Sequence, residues 1–166
     1  MPEKETLQRA QEDAREGKSP STQAGEFVRE EMDHIREGKH GARSTKQAIA
    51  IGLSKARRAG VQLAPPKKGK TSEATRKKAE RDLSKGQRPA RKKSAKRSRA
   101  VERALQREGH SAASRASLSK QAKQSARQRG SASRKQAAKK AARTKGAAGR
   151  SQAAKKAART RARRAG

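Results

Sequence analysis

Lysine and arginine side chains that recur at a fixed spacing near the C-terminus are the residues best suited to bind a ligand. The nine-residue sequence of positions 136–144 is repeated without change at positions 152–160. In each copy two cations stand four residues apart, so on a helix they would share one face. Such a face can neutralise phosphate groups, and each phosphate contact releases a condensed counterion. We therefore predict phosphate contacts from six repeat side chains: Lys139, Lys140, Arg143, Lys155, Lys156 and Arg159.

The charge of the whole chain favours the same chemistry. Its 166 residues include 47 basic and 15 acidic side chains, which gives a formal net charge of +32. Residues 64–166 carry 35 of the basic side chains, and no acidic residue follows Glu108. One-signed charge on this scale is typical of polyanion binding. We predict binding of double-stranded DNA, largely without sequence preference, as in a nucleoid-associated protein; an RNA-binding or ribosome-associated protein is the alternative.

Catalysis and cofactor binding have little support in the sequence. The chain has no cysteine to complete a zinc site, and its histidines are scattered: His34, His40 and His110. The acidic group Glu30, Glu31 and Asp33 is explained by the exposed face of an acidic helix. The sequence contains neither a glycine-rich phosphate loop nor a nucleophile elbow. We therefore predict that the protein is not an enzyme and uses no cofactor and no metal.

Large apolar residues are too few for one globular domain. Leu, Ile, Val and Phe number 13 of 166 residues, whereas highly charged segments with less than about 20% of these residues remain disordered. Eight of the 13 lie between Phe27 and Leu63. The predicted fold is all-α: a small helical hairpin near the N-terminus, followed by a largely disordered, helix-prone polybasic tail.

Two amphipathic helices would form this hairpin. The first carries an apolar stripe and ends near Glu37. The second runs from Thr45 to about Ala59, after a capping box in which Ser44 and Gln47 satisfy each other's backbone amides.

The hairpin has two alternative interpretations. It could mimic a helix-turn-helix, with the second helix as the recognition helix and Arg43 and Lys46 facing phosphates. Arg57 and Arg58 at the end of that helix are further candidates for phosphate contacts. Alternatively, residues 20–64 dock on a partner protein or on a second copy of the chain, and the tail only retains the protein on the nucleoid.

Composition divides the chain into four segments. These are an N-terminal charged helix (1–19), a small helical domain (20–64), a basic linker with weak helices (65–108) and a polybasic repeat tail (109–166). The longest apolar run covers only residues 48–53, whereas about 20 residues are needed to span a bilayer. The N-terminus lacks the apolar centre of a signal peptide. We expect a cytoplasmic protein on the nucleoid, without membrane contact.

Two resemblances add to these expectations. Residues 36–60, REGKHGARSTKQAIAIGLSKARRAG, resemble the signature of an uncharacterised family of small basic bacterial proteins. This resemblance implies a bacterial source and no established activity. The Ala-Ala-Lys-Lys-Ala-Ala-Arg tail is similar in composition to the C-terminal tails of linker histones and of some bacterial histone-like proteins. This likeness agrees with the charge argument, but the N-terminal part has nothing like the folds that carry such tails, so their function is not transferred.

Overall fold

The structure is a computed structural model that describes residues 2–88 and 94–165, and the described residues are all-α. Seven α-helices and one 3₁₀ turn follow one another in these ranges. They are α1 (Lys4–Arg15), α2 (Pro20–Arg36), α3 (Thr45–Arg58), α4 (Glu73–Gly86), α5 (Ala95–Gln106), the 3₁₀ turn (Ser111–Ala113), α6 (Arg115–Gln128) and α7 (Gly130–Ala165). The chain forms two compact units, residues 1–121 and 122–166.

Helices α2 and α3 pack against each other at the centre of the first unit. Phe27 and Ile35 lie on the buried face of α2 and are completely inaccessible to solvent, as their spacing predicts. Helix α1 packs against α2 and closes one part of the core. The residues buried there are Ala10, Ala24, Phe27, Ala56 and Val61.

A second cluster lies at the opposite end of the α2–α3 pair. It brings the 3₁₀ turn against α2 and α3, with Leu118 of α6 packed at its margin. Its buried members are Met32, Ile35, Ala42, Ala48, Ala112 and Ala113. Two of these six residues, Ala112 and Ala113, therefore lie more than forty positions beyond the hairpin.

The start of α3 confirms half of the predicted capping box. The Ser44 hydroxyl accepts a hydrogen bond from the Gln47 amide at 3.2 Å, which satisfies a backbone donor of the first helical turn. The Gln47 side chain, however, accepts from the Arg43 amide at 3.0 Å and not from Ser44. This contact ties the α2–α3 loop to the helix that follows it.

The prediction of a small hairpin followed by a disordered tail is wrong for residues beyond the hairpin. Helix α4 packs against α3, where the Ser54 hydroxyl donates to Asp82 Oδ2 at 2.6 Å. At the 3₁₀ turn, the buried Thr45 hydroxyl donates to the Ala112 carbonyl at 2.6 Å. Alanines, hydroxyls and backbone groups make these contacts, so a count of large apolar residues does not register them.

Helix α7 overturns the same prediction for the repeat tail. Residues 130–165 are helical except at Gly146, where φ is 62° and ψ is −178°, so each repeat copy occupies its own helical segment. Alanine has the highest helix propensity, and in this structure it outweighs the repulsion between like charges. The Arg150 guanidinium donates to the Ala142 carbonyl at 2.9 Å, which satisfies an acceptor near the end of the first segment.

None of the helices in the described ranges combines the length and the apolar character that a bilayer crossing requires. Helix α7 has the length, with 36 residues, but its lysines and arginines exclude it.

Candidate functional site

The six repeat cations all lie exposed on α7. Lys139 and Arg143 stand one turn apart on the first segment, and Lys155 and Arg159 repeat this arrangement on the second. Since no acidic side chain follows Glu108, neither segment carries a carboxylate that could neutralise these cations within its own helix. The second unit therefore presents a purely cationic helical surface.

The other four predicted contact residues are divided between the two ends of α3. Arg43 and Lys46 are exposed at its start, and the Arg43 guanidinium lies 3.7 Å from Glu108. Arg58 is exposed at its end, where its Nε donates to the Ser54 carbonyl at 3.1 Å and lies 3.7 Å from Asp82. At 1.5 Å per residue the two ends are about 18 Å apart, so these cations do not form one patch.

Arg57, by contrast, is buried, with 6% of its surface exposed. Its Nε donates to the Leu63 carbonyl at 3.0 Å. Burial lowers the pKa of its guanidinium, although the nearby Asp82 carboxylate acts in the opposite direction. Since the side chain is used to hold the segment after α3, we leave Arg57 out of the candidate interface.

Helix α3 offers little surface for reading DNA bases. It contacts α2, α4 and the 3₁₀ turn, and its exposed residues are Lys46, Ala50 and Arg58. A recognition helix places three or four neighbouring side chains against base edges. We therefore assign no base-reading role to α3.

Sequence reasoning missed a group of charged side chains inside the first unit. Glu30 and Glu31, expected on an exposed helix face, are 4% and 0% exposed. His34 and His40 are not scattered: their rings meet edge to face with centroids 6.0 Å apart. Together with Lys55 of α3, these four residues form what we call the buried ionic cluster.

The buried ionic cluster is held by short contacts from three parts of the chain. The Lys55 ammonium lies 2.6 Å from Glu31 Oε2 and 3.6 Å from Glu30 Oε1. His40, from the α2–α3 loop, places Nε2 3.1 Å from Glu31 Oε1. His34 places Nε2 2.9 Å from Glu3, which precedes α1, and 3.9 Å from Glu30. The cluster therefore links α2, α3 and the segment before α1.

A signal for this burial was present in the helical spacing. Glu31 stands four residues after Phe27 and four before Ile35, so it lies on the same face of α2 as two core residues. A carboxylate at the centre of an apolar stripe is buried, and a buried charge needs a partner. That partner, Lys55, lies on another helix, and the sequence alone does not indicate the pairing.

Comparison with known proteins gives a match over part of the chain. A family model described as a family of unknown function (DUF6496) matches residues 17–68, which cover α2, α3 and the segment after α3. No curated protein and no solved structure matches the chain, so nothing supports the histone-like interpretation of the tail. Over somewhat less than a third of its length, the chain is thus similar to a family of unknown function, and all five residues of the buried ionic cluster lie within the matched segment.

Proposed function

We propose that the protein binds double-stranded DNA through its phosphates, largely without sequence preference, with the repeat cations of α7 as the main contact surface. The supporting observation is the exposure of Lys139, Lys140, Arg143, Lys155, Lys156 and Arg159 on helical segments that carry no carboxylate. Such a surface attracts the phosphate backbone and positions the protein without reading bases. This activity needs no catalytic group, and it would retain the protein on the nucleoid.

The aromatic content favours a duplex over single-stranded nucleic acid as the partner. Sequence-specific RNA recognition and single-strand binding use aromatic side chains on which bases stack. The chain has one Phe, no Tyr and no Trp, and Phe27 is fully buried in the core. Phosphate contact is therefore the main interaction left to this protein, and a duplex offers a denser array of phosphates than a single strand does.

The salt dependence of binding tests the proposal. The full chain is titrated onto a short DNA duplex and onto a structured RNA of equal length between about 50 and 300 mM salt, a range in which phosphate contacts weaken steeply. The variant with all six repeat cations changed to Gln should bind DNA more weakly. Its log–log salt slope should fall by up to about 5, since each lost contact removes about 0.9.

A matched control removes the same charge elsewhere. Six exposed lysines before residue 86 are changed to Gln: Lys67, Lys68, Lys70, Lys77, Lys78 and Lys85. This variant should keep most of the wild-type slope. Equal losses in the two variants would show that charge acts over the whole chain and not through α7. Tighter binding of the RNA than of the duplex would contradict DNA as the partner.

A further inference from the structure

We propose that Glu31, His34 and His40 of the buried ionic cluster bind one divalent metal ion of the zinc type, with the Glu30 carboxylate beside the site as a neighbouring negative charge. Each of the three ligand residues offers an atom, and these atoms lie within 4.8 Å of one another. Imidazole nitrogens and carboxylate oxygens are ligands that zinc accepts in tetrahedral sites. This inference is independent of DNA binding, because the cluster lies in the first unit and the repeat cations in the second.

The contact between Glu31 and His40 has the separation of two ligands on one ion. Glu31 Oε1 and His40 Nε2 are 3.1 Å apart. Two ligands that each lie about 2.0–2.1 Å from a tetrahedral zinc ion are separated by about 3.3 Å. An ion can therefore enter between these atoms with only a small movement of either side chain.

The second nitrogen of His40 is placed as in known metal sites. Nδ1 lies 3.1 Å from the carbonyl oxygen of Gly41. In the tautomer that carries its proton on Nδ1, this nitrogen donates to the carbonyl, and the lone pair of Nε2 points toward Glu31. Histidines that bind metals commonly donate their other N–H to a backbone carbonyl, which fixes the ring.

Lys55 leaves the coordinating oxygen of Glu31 available. Its ammonium contacts Oε2 at 2.6 Å, whereas Oε1 faces His40. Within the described residues neither Glu31 oxygen has a hydrogen-bond partner, so the Lys55 contact is an ion pair, and metal-binding carboxylates commonly have such an outer polar group beside them. Lys55 is therefore placed as an outer partner of the site.

Glu30 supplies an independent indication that a cation is needed. Its side chain is 2% exposed, and among the described residues neither of its oxygens has a hydrogen-bond partner. The nearest cationic atoms, Lys55 Nζ at 3.6 Å and His34 Nε2 at 3.9 Å, are both beyond hydrogen-bond distance. Two buried carboxylates thus face one ammonium, and burial of an uncompensated charge is costly. A divalent ion between Glu31 and the histidines would supply the missing positive charge.

The exposed carboxylate of Glu3 would compete with a metal ion for the Nε2 atom of His34. This atom lies 2.9 Å from Glu3, whose side chain is 51% exposed and also contacts Lys39 at 3.1 Å. Because Glu3 is exposed, its carboxylate can leave His34 and become hydrated, or it can itself act as a further ligand of the metal.

The three histidines of the chain allow a direct test on the unmodified protein. The full-length chain is freed of metal with a chelator, and ZnCl₂ is added while the ring C–H signals of the histidines are followed by NMR. The signals of His34 and His40 should move together and stop moving at one equivalent of zinc, while that of His110 stays in place. Unchanged signals, or equal shifts of all three histidines, would overturn the proposal.

Variants measured by calorimetry give the affinity. His40→Gln and His34→Gln should each weaken zinc binding at least tenfold, and Glu30→Gln should weaken it about tenfold, as is typical for groups around a metal. The matched control is His110→Gln, an exposed histidine outside the cluster, which should bind zinc as the wild type does. If a cluster variant loses its helical circular dichroism, the NMR titration of the wild type decides. A loss in His110→Gln as large as in His40→Gln would overturn the proposal.

Discussion

The amide of Gly41 donates a hydrogen bond to the carbonyl of Leu105 at 2.9 Å, across sixty-four positions of sequence. The next amide, that of Ala42, donates to the Gly109 carbonyl at 3.0 Å. These two bonds join the α2–α3 loop to the chain that leaves α5. The loop that carries His40 is therefore fixed by residues outside the predicted hairpin.

Substitution of Gly41 by Ala tests this contact. A Cβ atom at position 41 would lie 1.9 Å from the Glu108 carbonyl oxygen and 2.4 Å from its carbon. Since both are backbone atoms, the two chain segments must separate. We expect a loss of about 1–3 kcal/mol in the free energy of unfolding, as for other overpacked sites, measured by urea denaturation of the full chain.

Gly25 provides the matched control for that substitution. It lies exposed inside α2, and a Cβ atom there would meet nothing within 4 Å. Gly25→Ala should raise the stability by about 0.5–1 kcal/mol, because alanine favours the helix. A Gly41→Ala variant as stable as Gly25→Ala would contradict the close packing of the loop.

Sequence reasoning identified the local parts of this fold and missed the distant contacts. The Ser44 cap and the buried stripe of α2 follow from spacing and side-chain type, which act within a few residues. The burial of Ala112 against Thr45 depends on small side chains and on a hydroxyl-to-carbonyl bond. Such contacts leave no periodic signal, so the extent of the folded unit could not be predicted.

Of the two candidate sites, one could be predicted from local sequence and the other depends on distant contacts. The cations of the repeat can be identified from the sequence alone. Their exposed position does not depend on contacts with distant parts of the chain. The buried ionic cluster needs Lys55 to approach Glu31 from another helix. The buried position of Glu31 could have been predicted from its spacing to Phe27 and Ile35, but its partners could not.

The hydroxyl of Thr45 gives a second prediction. It is buried and donates to the Ala112 carbonyl at 2.6 Å. Thr45→Val keeps the shape but leaves this carbonyl without its donor, which should cost about 1–3 kcal/mol of stability. Thr45→Ser, which retains the hydroxyl, should lose less. Chemical denaturation of both variants checks this order, and the reverse order would contradict the hydrogen bond.

The Glu73–Arg76 pair on α4 gives a prediction on pH. The Arg76 guanidinium donates to Glu73 Oε1 at 2.6 Å and, mainly through this hydrogen bond, lowers the pKa of the Glu73 carboxyl. Because the folded pKa is lowered, the stabilisation is complete above the ordinary carboxyl pKa. It is lost as the pH falls through the lowered value.

NMR titration of the Glu73 carboxyl measures this effect. Arg76→Gln should raise the pKa of Glu73 toward its ordinary value, because the hydrogen bond and the neighbouring charge are both removed. Lys77→Gln removes an equal charge one residue further along and should move the pKa of Glu73 less. Equal shifts in the two variants would show that general charge, and not the hydrogen bond, sets this pKa.

The break at Gly146 gives the last prediction. Its φ of 62° with ψ of −178° lies in a region that is essentially restricted to glycine. Gly146→Ala makes the break strained and the continued helix more favourable by about 1 kcal/mol, so the two segments of α7 should merge. Gly149, in the second segment, is helical, and Gly149→Ala supplies the same gain in propensity without removing the break. Far-ultraviolet circular dichroism of the full chain should therefore show a larger increase in helix content for Gly146→Ala. Equal increases would mean that the break does not separate the two repeat copies.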